Sequence, residues 1–119
     1  MEIRARSDAP PFVTADGSTI RSLLDRTTAP VELQSLAEAT ILAGTATTRH
    51  YHGASEEIYY LLDGRGQMEL DGEFAKVGPG DAILIPRGSW HQITADPGGD
   101  IRMLCCCSPP YSHHDTFFA

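Results

Sequence analysis

The sequence predicts an all-β fold, an antiparallel sandwich or barrel of about eight strands, and three observations point to it. Gly and Pro punctuate the chain at short intervals, at Pro10-Pro11, Asp16-Gly17, Ala29-Pro30, Gly44, Gly78-Pro79-Gly80, Pro86-Arg87-Gly88 and Pro97-Gly98-Gly99. The runs between them are short and alternate in polarity or are β-branched. Asp63-Gly64 and Asp71-Gly72 are hairpin-type pairs at a spacing of eight residues.

Taken in order, the runs that read as strands are 19–23, 32–42, 47–52, 57–62, 67–70, 82–85, 91–94 and 101–107. Residues 20–25 also admit a helical reading. The segment from Glu57 through Gly80 reads as a meander folded at its two Asp-Gly pairs. In 35–42, Ser35, Ala37, Ala39 and Ile41 alternate with Leu36, Glu38, Thr40 and Leu42, and parity alone does not say which set faces inward. Small residues inward would leave room for a ligand, and that orientation is expected here.

Length and composition narrow the partners. With 119 residues, 41% hydrophobic and 21% charged, residues 1–119 are expected to form one globular domain. Nine Lys plus Arg against 16 Asp plus Glu give a net charge of −7, and the arginines are scattered, so nucleic acid is not an expected partner. Neither is a membrane. The N-terminal Met1-Glu2-Ile3-Arg4-Ala5-Arg6 lacks an apolar run behind its charges, and a cytoplasmic location is expected. Cys105-Cys106-Cys107 are consecutive, a poor disulfide framework that suits a reducing compartment. Cys105 and Cys107 share a face and read as small core residues.

The chemistry gathers in the middle of the chain. His50 and His52 stand two apart on one run, which puts both imidazoles on the same side about 7 Å apart. Glu57 follows on the next run, with Tyr59 and Leu61 on its face, and His91 comes just after the Pro86-Arg87-Gly88 turn. Three imidazoles and a carboxylate suit one divalent transition-metal ion: iron, zinc, manganese, nickel, cobalt or copper. Four protein ligands on an ion that accepts six leave open positions, as a catalytic site needs.

These residues resemble the two motifs of the cupins. Gly44, His50, His52, Glu57 and Gly64 meet G-x5-H-x-H-x(3,4)-E-x6-G in full, with Glu56 as the alternative at the shorter spacing. Gly80, Pro86, Gly88 and His91 meet G-x5-P-x-G-x2-H-x3-N, whose last position is Ala95 here. The motif core is thus 44–95. The resemblance implies a double-stranded β-helix, or jelly-roll barrel, with the metal on His50, His52, Glu57 and His91. It also implies a small-molecule substrate and covers several chemistries. One is dioxygenation at Fe(II); another is a non-redox cyclisation, isomerisation or rearrangement at Zn(II), including nitrogen-nitrogen bond formation. A non-catalytic metal- or sugar-binding module is the rival from a different class.

Around the ligands, Tyr59 is expected to point into the cavity, and Arg87 to hold an anionic substrate; both are catalytic candidates. The tail, 108–119, carries Ser108-Pro109-Pro110-Tyr111 and His113-His114, and is expected to cross the barrel mouth or a homodimer contact. There it would touch substrate and not the ion. Phe117 and Phe118 are expected to dock.

Overall fold

The computed structural model describes residues 1–119. Its strands are β1 (Phe12–Val13), β2 (Thr19–Leu24), β3 (Ser35–Ile41), β4 (His50–His52), β5 (Glu56–Asp63), β6 (Gly66–Leu70), β7 (Glu73–Val77), β8 (Ala82–Ile85), β9 (His91–Ala95), β10 (Ile101–Ser108) and β11 (Thr116–Phe118). Two antiparallel sheets are formed, in the orders β1-β2-β3-β10-β5-β8 and β11-β4-β9-β6-β7. This is the jelly-roll arrangement, with two sheets that are not joined into one hydrogen-bonded cylinder. No helix is long and apolar enough to cross a membrane.

Period-2 alternation decides which residues meet between the sheets. In β5 Glu57, Tyr59 and Leu61 turn inward while Glu56, Ile58 and Tyr60 face out. In β9 His91, Ile93 and Ala95 do the same, and in β10 Ile101, Met103 and Cys107. The inner faces join in one core that includes Ile41, Leu61, Met68, Ile85, Ile93, Ile101 and Met103. Burying such a side chain stabilises the fold by about 1.5–3 kcal/mol, so the pattern holds each strand in register against a one-residue slip. On β3 the small set faces inward as expected, with Ser35, Ala37 and Ala39 lining the internal cavity. Glu38, on the opposite face, is buried beneath Arg6 and Arg102, whose nitrogens lie 2.9 and 3.3 Å from its carboxylate.

Several expectations are corrected. The segment 20–25 is not helical, since Thr19–Leu24 pairs with both β1 and β3. The runs 32–42 and 47–52 are shorter strands, starting at Ser35 and His50. Strands β1, β7 and β11 are additional. Of the Asp63-Gly64 and Asp71-Gly72 pairs only the second, both of whose residues have positive φ, closes a hairpin, between β6 and β7. At Gly64 the chain instead crosses to the other sheet, because β5 pairs with β8 and β10 while β6 pairs with β7 and β9. Gly64 has φ +83°, and the Asp100 carbonyl occupies the place a Cβ would take. The Asp-Gly pair therefore encodes a sharp turn but not the strand that follows it.

Candidate metal centre

Two strands of one sheet supply the imidazoles. His50 and His52 flank Tyr51 on β4, and His50 is the register partner of His91 on β9. The potential ligand atoms of the three histidines lie within 4.8 Å of one another. The carboxylate arrives from the opposite sheet: β5 does not pair with β4, so Glu57 reaches the histidines across the interior and not as a hairpin partner. Its Oε1 lies 3.2 Å from His52 Nε2 and 3.6 Å from His91 Nε2. Glu57 is 5% exposed and turned toward these nitrogens, whereas the neighbouring Glu56 faces solvent.

Hydrogen bonds fix all three rings in the tautomer that ligation requires. His50 Nδ1 donates to the Thr48 carbonyl at 2.7 Å, and His91 Nδ1 to the Ser89 carbonyl at 3.0 Å. Thr116 Oγ1 donates to the Ser112 carbonyl and so accepts from His52 Nδ1, 3.2 Å away. Each proton sits on Nδ1, and each Nε2 lone pair is left to bind. Glu57 Oε1 and His91 Nε2 are the two buried side-chain polar atoms without a hydrogen-bond partner. Buried lone pairs facing one another are costly unless a cation lies between them, so the residues fit a divalent metal.

A proton is the alternative occupant, and the electrostatics show it. Burial opposes ionisation of Glu57, yet the His52 and His91 imidazoles beside it, which become cations when protonated, outweigh that and hold the carboxyl at about 2. Burial likewise opposes protonation of His52, but the Glu57 carboxylate raises its pKa. His50 is lowered, by burial and by the charge of His91. Metal affinity is therefore expected to fall with pH already above the ordinary imidazole value of about 6.5, as protons compete at His52. Titration of Zn(II) binding between pH 8 and about 5.5 checks this; a flat profile would contradict it.

The ligands open onto a cavity of about 470 Å³ between β2, β3, β5, β10 and the tail. Tyr59 lines it, 3% exposed, with its ring edge-on to His91 at 6.0 Å. Burial pushes the Tyr59 hydroxyl well up, so it stays protonated. Arg87 does not face this cavity: it is exposed in the β8–β9 turn, and the cavity wall is built without it. His113 and His114 lie at the mouth, apart from the three clustered histidines, and Tyr111 Oη is 2.9 Å from His113 Nδ1.

The tail does more than cover the mouth. Strand β11 pairs with β4, and Asp115 accepts from the backbone N–H groups of Ala54 and Ser55. Phe117 stacks on Tyr51 at 5.0 Å, and Phe118 lies 5.7 Å from the His50 ring. Thr116, which holds His52, has no motif to mark it in the sequence. Cys107, which donates to Glu57 Oε2, was marked only by its shared parity with Cys105.

Comparison with known proteins agrees with this fold. The Cupin_2 profile, a cupin domain, matches residues 37–107, which span His50, His52, Glu57 and His91. The uncharacterized protein MJ1618 of Methanocaldococcus jannaschii is 48% identical over 106 residues, 89% of this chain and 85% of that one. Tetracenomycin polyketide synthase protein TcmJ of Streptomyces glaucescens is 29% identical over 88% of this chain and 70% of its own. The structure of the polyketide cyclase RemF from Streptomyces resistomycificus superposes with a TM-score of 0.79 at 29% identity, covering 97% of this chain and 89% of that one.

Proposed function

The chain belongs to the Cupin_2 family, and from that premise we propose that it is a divalent-metal enzyme catalysing a non-redox cyclisation or related rearrangement of a small, largely apolar organic molecule. The observation that carries this reading is the convergence of three Nε2 atoms and Glu57 Oε1, two of them orphaned, on a mainly apolar cavity. The likeness to a polyketide cyclase over most of both chains supports cyclisation of an oxygenated, ring-forming substrate.

When bound, the ion supplies a Lewis acid that draws electron density from a substrate oxygen. The chain's own residues supply the rest. Ala37 and Ala39 leave space for the substrate body, and Met103 gives it an apolar wall that excludes water. Tyr59, kept protonated by burial, offers an O–H donor beside the ligands. Tyr111, paired with His113 at the mouth, places a second hydroxyl on the cavity wall.

The test is turnover of phenolic polyketide-type compounds by protein stripped with a chelator and reloaded with Zn(II) or Fe(II), with and without dioxygen. Activity of the zinc form without dioxygen is expected, with a product of unchanged mass or one lighter by water. Turnover only with Fe(II) and dioxygen would replace cyclisation by dioxygenation. A ligand bound stoichiometrically and recovered unchanged would make the protein a binding module.

A further inference from the structure

We propose that Cys107 is a positioning residue for this centre: its thiol engages Glu57 Oε2, so that the carboxylate presents Oε1 alone to the ion. The assignment rests on the reading of His50, His52, Glu57 and His91 as metal ligands, and it concerns a residue that neither cupin motif contains.

The placement follows from sheet register. Cys107 on β10 is the direct partner of Glu57 on β5, which sets the two side chains on the same inward face. Sγ lies 3.2 Å from Oε2, and the two residues are 2% and 5% exposed. A metal-binding carboxylate can offer one oxygen or both, and a donor on one oxygen both removes it from ligation and fixes the plane of the group. Oε1 is left without a hydrogen bond, between His52 Nε2 and His91 Nε2. A thiol suits the position chemically: it is small, tolerates an apolar wall and donates weakly, so it orients the carboxylate without neutralising it.

Cys105 provides the matched control. It stands two residues away on the same strand, lines the same cavity, and pairs in register with Tyr59 and not with Glu57. Removing its thiol changes the wall but leaves the carboxylate held.

The experiment measures Zn(II) affinity by chelator competition, and the visible absorption of the Co(II) form, whose intensity falls as coordination number rises. The proteins are wild type, Cys107→Ala, Cys107→Val, Cys107→Ser and Cys105→Ala. Loss of the donor in Cys107→Ala and Cys107→Val is expected to weaken Zn(II) binding about tenfold and to dim the Co(II) bands. Cys107→Ser, which keeps a donor, is expected to stay within about threefold of wild type, and Cys105→Ala to match it. Should the alanine variant not fold, the valine variant, nearer to cysteine in volume, gives the same reading. Cys107→Ala and Cys107→Val binding as wild type does, with the same Co(II) spectrum, would overturn the assignment. So would Cys107→Ser losing as much as they do. A wild type that takes up neither Zn(II) nor Co(II) would instead defeat the metal reading itself.

Discussion

His91→Ala is expected to lower metal affinity by more than about a hundredfold, the largest effect of any single substitution in the chain. His91 is fully buried, its Nε2 has no other partner, and it lies 3.6 Å from Glu57 Oε1. Without it the ion would lose one of three imidazoles, and Glu57 Oε1 would lose one of the two Nε2 atoms that converge with it. Competition titration against a zinc chelator reads the loss, with circular dichroism to establish that the variant is folded. His114→Ala, at the cavity mouth, is expected to bind metal as wild type does. Equal affinity in the two variants would mean that the clustered histidines are not the ligands.

Deletion of residues 109–119 is expected to strip the site as well as open the mouth. The deletion removes β11, the edge strand that pairs with β4, along with the Asp115 carboxylate that anchors Ala54 and Ser55. It also removes Thr116, which accepts from His52 Nδ1. Metal affinity should fall at least about tenfold, and the melting temperature should drop. Thr116→Val separates the two causes: it keeps the strand and loses the acceptor, so affinity should fall with little change in melting temperature. A truncated protein that is folded and binds metal normally would return the tail to the barrel-mouth or homodimer-contact role that its sequence suggests.

The cluster of candidate ligands is legible because metal chemistry constrains spacing along the chain. Two histidines two residues apart on a strand share a face wherever the strand lies, and the Pro86-Arg87-Gly88 turn fixes where His91 begins β9. What spacing does not encode is which sheet a strand joins. The Asp63-Gly64 pair looks like the Asp71-Gly72 hairpin, yet one carries the chain across the sandwich and the other folds it back. For that reason the spacing gives Glu57 its inward face but not the sheet from which it reaches the histidines. The tail strand, Thr116–Phe118, is too short for periodicity to reveal, and its two phenylalanines signalled docking without saying onto what. Arg87 illustrates the converse: a cation in a motif turn invites a binding role, and only the direction of the turn shows that it faces solvent. Cys105 and Cys107 carried the right parity, but the partner that distinguishes them is set by the register of β10 on β5.

Native mass spectrometry joined to elemental analysis, on folded protein equilibrated with a micromolar excess of a divalent transition metal, tests the metal centre most directly. One ion per chain is expected for wild type, and most of it should be lost in His52→Ala. A folded wild type that takes up none of iron, zinc, manganese, nickel, cobalt or copper would contradict it.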